Sequence, residues 1–170
     1  SMSRFLLAGG GTGGHVNPLL ALGQWLRDQD NEVIALGTKE GLEQRLVPNR
    51  GFELLTIPRL PLPRKISFSI LIYPFRLLAA SLQVARIIRA RKIDCVVGFG
   101  GYAAAPAYLA AKLTRTSLVV HEANALAGFA NKLGARLTGF VGVSFANSNL
   151  AGSVLTGMPI RSEIVKSAAG

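Results

Sequence analysis

One cysteine in 170 residues, Cys95, excludes a disulfide framework and a cysteine-based zinc site. Two histidines, His15 and His121, stand far apart without ligand spacing, so a resident metal finds no support either. Charged residues are scarce, at 16% against 49% hydrophobic, which excludes a disordered chain. Long apolar runs are missing as well. The best candidate, 66–75, is too short to span a bilayer, and Arg76 interrupts any extension. No signal peptide is visible, so a reducing cytoplasm is the expected compartment. Ser1 ahead of Met2 reads as an expression scar, which makes Met2 the expected native start. Internal repeats and low-complexity segments are absent. The length suits one domain that buries roughly 70% of the surface its unfolded chain exposes.

Acidic residues are also missing, but only from one part of the chain. Residues 1–53 hold five basic and six acidic side chains. Residues 54–162 hold thirteen basic ones against Asp94 and Glu122 alone. A solubilising surface is the plain explanation, yet it leaves the one-sidedness unexplained. Such a field attracts an anion: nucleic acid, an anionic membrane or a phosphorylated substrate.

What is abundant is the alternation of short apolar runs with helical patterns. Strands are expected at 4–8, 32–36, 52–57, 93–98, 117–121 and 140–145, with Gly37 stopping the second. Helices are expected after the first glycine cluster, at 40–47 before Pro48, from Pro74 to about Ala90, at 104–113 and at 126–137. This order predicts an α/β domain, a doubly wound parallel Rossmann-like sheet with right-handed crossovers. Ligands of such sheets sit beyond the carboxyl ends of the strands. That rule selects the loops at 9–15, 37–39, 98–102 and 121–128.

Two of these loops are glycine-rich. Gly9, Gly11 and Gly14 satisfy G-x-G-x-x-G directly after a strand and before a helix. Glycines there let the backbone approach a phosphate or sugar, and a helix amino terminus favours negative charge. A tight turn with no ligand is the alternative. A nicotinamide cofactor would need an acid at the end of the second strand for its ribose, where Leu36-Gly37-Thr38 stands. No Gly-Lys-Ser/Thr follows, so the loop is not a P-loop. The second loop, Gly98-Phe99-Gly100-Gly101-Tyr102, lies at the same edge. Together the two can floor a site for a pyrophosphate or a sugar ring.

These motifs, in this order, resemble the MurG family of glycosyltransferases. The resemblance rests on Gly9–His15 with Val16-Asn17-Pro18, Gly37-Thr38 with Glu43 and Leu46-Val47-Pro48, and Gly98–Tyr102. It continues through His121-Glu122-Ala123-Asn124 and Gly157-Met158-Pro159-Ile160-Arg161. It implies one half of a GT-B glycosyltransferase. Residues 2–162 would form the amino-terminal acceptor and membrane-binding domain and 163–170 the start of the interdomain connection, with the carboxy-terminal donor domain absent. It also implies inverting transfer of GlcNAc from UDP-GlcNAc to the MurNAc C4 hydroxyl of lipid I, giving lipid II in peptidoglycan synthesis. The partners would be lipid I and the anionic inner leaflet, and the place the cytoplasmic face of the cell membrane. No tightly bound cofactor is implied, since a helix terminus and backbone N–H groups can stabilise the leaving group.

His15 follows two glycines at a helix start, where the positive helix end favours a neutral imidazole. From the residues alone a general base and a turn-capping histidine are equally good readings; the resemblance favours the base. His121 reads as a packed residue. Glu122 can be a base, a hydroxyl acceptor or a counterion, and by resemblance belongs to the acceptor site. Asn124 can cap the following helix. By resemblance it contacts the donor nucleotide, as do Thr12, Gly13, Gly14 and Arg161. Gly100, Gly101 and Tyr102 complete the substrate-binding set.

Between Glu53 and Asp94 stand eight basic residues and no acid. In the expected helix from Pro74, Phe75, Leu78, Leu82 and Ala85 form one stripe, and Leu77, Val84 and Ile88 another. Docking on a sheet needs one stripe; a second, with basic neighbours, suits anionic lipid or equally a fully buried helix. The resemblance favours lipid, with Arg64, Lys65, Ile70, Ile72 and Phe75 as the docking residues. A nucleic-acid binder is the competing class. It lacks a helix-turn-helix or RRM signature and stacking aromatics among the basic residues. Another GT-B transferase with a different lipid acceptor is the nearer alternative.

Overall fold

The computed structural model describes residues 2–61, 63, 65–122, 141–143 and 153–155. Eleven elements follow one another: β1 (Arg4–Ala8), α1 (Gly13–Asp28), β2 (Glu32–Thr38), α2 (Glu43–Asn49), β3 (Glu53–Ile57), α3 (Phe68–Ala90), β4 (Cys95–Gly98), α4 (Ala104–Thr114), β5 (Ser117–Glu122), β6 (Val141–Val143) and β7 (Ser153–Leu155). The strands form one sheet in the order β3-β2-β1-β4-β5-β6-β7, and every pairing is parallel. This is the doubly wound sheet expected, with the order reversing beside β1, between β1 and β4.

The period of two along each strand separates the two cores. Leu6, Ala8, Ile34, Leu36, Val96 and Val120 pack with Val84, Ile88 and Tyr108 of α3 and α4. Phe5, Leu7, Ala35, Val97 and Val119 face the other way and pack with Val16, Leu19, Leu22, Leu26 and Val47 of α1 and α2. Strands buried on both sides read as continuous apolar runs, which is why β1, β4 and β5 stand out in the sequence. Cys95 lies in this interior, and burial, reinforced by Asp94, pushes its thiol up to about 12.

Several boundaries differ from expectation. Gly37 does not stop β2; it pairs with Thr56 and Thr38 pairs with Ile57, because β3 continues alongside. The helix expected at 40–47 begins only at Glu43 and includes Pro48, since Thr38 Oγ1 donates to the Glu40 carbonyl and Gly41, at φ +126°, keeps that segment a turn. β7 was not foreseen. The expected helix 126–137 lies outside the described residues.

The largest difference concerns α3. It begins at Phe68, after an extended Ser67, and carries Pro74 inside it rather than at its start. Pro74 is exposed, so the Ile70 carbonyl it leaves without an intrahelical donor is reached by water. The apolar stretch and the helix are therefore one 23-residue element, of mean hydropathy 1.5 in its most apolar window, long and apolar enough to cross a membrane by length and composition. Its carboxyl half is committed elsewhere: Ala80, Ser81, Val84, Ala85 and Ile88 are buried against the sheet and α4. The stripes divide differently from the pattern reading. Val84 and Ile88 dock, Ala85 joins them, and Phe75, Leu78 and Leu82 face outward.

Candidate active site

The carboxyl ends of β1, β2, β4 and β5 bring their loops to one edge. Gly9 N–H still donates to Leu36 O at 3.1 Å, and Phe99 N–H to Ala8 O at 2.8 Å, so both glycine loops leave the sheet in register. They then press together backbone against backbone. A Cβ on Gly101 would lie 2.6 Å from the Gly10 carbonyl oxygen, and Gly101 sits at φ +92°. Only glycine meets both demands.

Thr12 is the N-cap of α1, but its side chain makes no cap bond. The first N–H groups of a helix have no intrahelical acceptor, so those of Gly13 and Gly14 are available to a ligand at this edge. Thr12 and Gly14 are exposed, and Gly13 and His15 are partly buried. His15 Nδ1 lies 3.0 Å from the Gly10 carbonyl and 3.4 Å from Thr12 Oγ1. A carbonyl only accepts, so Nδ1 carries the proton in the neutral ring and Nε2 keeps its lone pair.

Across from them stand Gly100, Gly101 and Tyr102. The Arg59 guanidinium lies 4.6 Å from the centre of the Tyr102 ring and donates to Tyr102 Oη at 3.2 Å. Its other nitrogen meets Glu40 at 3.3 Å. Arg59 thus ties together the loops after β2, β3 and β4. The Tyr102 and Glu40 contacts both raise its guanidinium above its ordinary range.

Glu122 ends β5 at this same edge, where its backbone pairs with Val143. Asn124 and Arg161 lie outside the described residues, as does Arg64. His121 is 1% exposed, its ring centre 5.6 Å from that of Phe99, and burial drives its imidazole down to about 4. That environment suits packing.

The pattern reading missed Glu43 as a working residue. It is an acid with only 1% of its surface exposed. Oε1 accepts from Gly11 N–H at 3.1 Å and Oε2 from Thr38 N–H at 3.4 Å. An acid therefore does stand at the end of β2, but it is sealed and committed to backbone, so it cannot serve a ribose hydroxyl. Among the described residues no three His, Cys, Asp or Glu side chains are placed to hold a metal ion.

Known proteins with this arrangement are close at hand. Residues 5–141 match the model of the glycosyltransferase family 28 N-terminal domain. A relative from Leifsonia xyli is 54% identical over 96% of this chain and 46% of its own length. One from Corynebacterium diphtheriae is 52% identical over 95% and 45%. Both are named UDP-N-acetylglucosamine–N-acetylmuramyl-(pentapeptide) pyrophosphoryl-undecaprenol N-acetylglucosamine transferase. The crystal structure of Acinetobacter baumannii MurG superposes with a TM-score of 0.79 at 33% identity, over 91% of this chain and 45% of that one. The chain thus spans about half the length of the curated relatives it matches. With its parallel sheet, its paired glycine loops and this match over most of its length, the chain belongs to the glycosyltransferase family 28 N-terminal domain family.

Proposed function

We propose that this chain is the acceptor half of an inverting N-acetylglucosaminyltransferase that moves GlcNAc from UDP-GlcNAc to the C4 hydroxyl of a MurNAc carried on a polyprenyl pyrophosphate. The observation that carries this reading is the meeting of the two glycine loops with an imidazole whose Nδ1 lies 3.0 Å from the Gly10 carbonyl, a contact that leaves the lone pair on Nε2. The names of its relatives supply the substrate class. In this reading the start of α1, with Thr12, Gly13 and Gly14, meets the pyrophosphate of the donor, and the two loops seat the acceptor sugar beside His15. His15 Nε2 takes the proton from the C4 hydroxyl as that oxygen attacks C1 of GlcNAc. The C1–oxygen bond to UDP breaks with inversion, and the electron pair leaves on the β-phosphate. Glu122 belongs to the acceptor side, and Asn124 and Arg161 to the donor contacts. UDP-GlcNAc is a substrate, mostly held by the portion of the relatives that this chain does not span.

The same reading assigns the outward face of α3 to the cytoplasmic face of the cell membrane. Phe68, Leu71, Phe75, Leu78 and Leu82 recur at spacings of three and four along one side, and Phe75 is 74% exposed. Ile66 and Ile70 are exposed too, Ile72 is partly buried, and Lys65, Arg76, Arg86 and Arg89 supply cations around them. Beside this face a cleft of about 340 Å³ lies between Arg59 and Arg76, lined also by Pro58, Leu60 and Ala79. Exposed apolar side chains flanked by cations suit an anionic lipid surface that also presents the acceptor.

The test is transfer of labelled GlcNAc to a polyprenyl-pyrophosphoryl MurNAc acceptor by the full-length protein. Product from the full-length protein and none from this chain alone is the expected pair of results. Turnover by residues 1–170 alone would mean that the donor site is here.

A further inference from the structure

Glu43 and His15 do not touch, but one peptide group joins them. The amide linking Gly10 to Gly11 offers its N–H, on Gly11, to Glu43 Oε1 at 3.1 Å. It offers its carbonyl, on Gly10, to His15 Nδ1 at 3.0 Å. We propose that Glu43 is the positioning residue of His15, acting through this single peptide; the proposal rests on the reading of His15 as the general base. A carboxylate accepting from one end of an amide polarises it and strengthens the carbonyl at the other end as an acceptor. The carbonyl holds the Nδ1–H tautomer and leaves Nε2 free toward the acceptor hydroxyl. The chain of contacts does for His15 what a buried carboxylate does directly for a catalytic imidazole elsewhere.

The surrounding glycines are arranged around this link. Gly10 at φ +153° and Gly11 at φ +88° turn the peptide so that its two ends face opposite partners. A Cβ on Gly10 would fall 1.7 Å from Glu43 Oε2, one on Gly41 2.1 Å from Oε1, and one on Gly37 2.6 Å from Cγ. Three glycines, from the loop after β1, the end of β2 and the turn before α2, thus give up side chains around one carboxylate. A residue needed only to fill space would not require an ionisable group in a pocket with 1% exposure. The Gly11 N–H is also withdrawn from any ligand, which leaves the donors at Gly13 and Gly14 for the substrate.

The experiment compares Glu43→Gln and Glu43→Ala with Val47→Ala, a buried neighbour on the same helix that has no bond to the loop. A glutamine can accept from only one of the two N–H groups and carries no charge. The first readout is the His15 tautomer in this chain, from nitrogen-15 correlation spectra of the imidazole. Wild type and Val47→Ala should show mainly Nδ1–H, and both Glu43 variants a raised share of Nε2–H. The second is turnover of the full-length protein. Glu43→Gln should lower kcat about tenfold with little change in acceptor KM, a part of the roughly 10²–10⁴ that a general base supplies. An unchanged tautomer in both Glu43 variants overturns the proposal, as does a kcat loss no larger than that of an equally destabilised Val47→Ala. Should wild type transfer no GlcNAc, the proposed function falls, and the tautomer measurement still decides the link.

Discussion

The glycine-loop edge and the outward face of α3 are built on opposite plans. At the edge, side chains are mostly missing and the backbone does the work. Gly10, Gly11, Gly100 and Gly101 take positive φ, and the loops touch through main-chain atoms. On α3 the backbone is ordinary helix, and large apolar side chains stand in solvent. The first surface is shaped by close backbone approaches, and in the proposed reading it receives a small anionic group. The other needs only the right apolar area and sign of charge. Substitution should therefore be tolerated poorly in the first, and in the second wherever the face stays apolar.

The greatest loss is expected at the glycine-loop edge. His15→Ala in the full-length protein should lower kcat by roughly 10²–10⁴ while donor KM changes little. A rise in KM alone would make His15 a binding residue. Within α3, the buried and exposed stripes should separate cleanly. Ile88→Ala should cost about 2–5 kcal/mol of stability, whereas Phe75→Ser should cost less than about 0.5 kcal/mol and instead weaken binding to anionic vesicles at every salt concentration. Equal costs in a denaturant titration would put both stripes in the core. Gly101→Ala should destabilise by about 1–3 kcal/mol through its strained φ and the approach to Gly10. A variant as stable as wild type would show that the loops yield and are not specified so tightly.

Acid should act through the interior behind the edge. His121 is held neutral, with its folded value depressed to about 4 by burial. The unfolded state therefore binds the proton first, and its contribution to stability is complete above about pH 6.5 and lost as pH falls toward 4. The loss is at most about 3 kcal/mol. His121→Leu should flatten this part of the pH profile of thermal unfolding, and an unchanged slope would place the acid sensitivity elsewhere. The smallest effect concerns charge at the proposed membrane face. Lys65→Gln should weaken vesicle binding by about 1 kcal/mol at low salt, and by progressively less as the Debye length shortens from about 10 Å at 0.1 M.

Much of the sheet was legible because strands buried on both faces, such as Leu6-Leu7-Ala8 and Val96-Val97, are continuous apolar runs closed by glycine. Gly37 misled for the same reason: a glycine that ends a run was read as ending a ladder, although its partner strand goes on. Pro74 misled by looking like a helix start, while an exposed helix tolerates it nearly two turns later. Which stripe of α3 faces inward depends on where α4 lies, and periodicity along one helix carries no such information. The glycine loops and His15 could be read locally, since strand, loop and helix are consecutive. Glu43 could not. It stands 32 residues from Gly11, and nothing in its neighbourhood distinguishes a buried acid from a solvated one.

In the proposed reading the two glycine loops seat the acceptor sugar beside His15. The most direct measurement is a titration of this chain with a short-chain polyprenyl-pyrophosphoryl MurNAc analogue, followed by backbone amide shifts. Saturable shifts concentrated at residues 10–15 and 100–102, and lost in Gly101→Ala, are the expected result. Shifts confined to α3, with the loop amides unmoved at saturation, would contradict it.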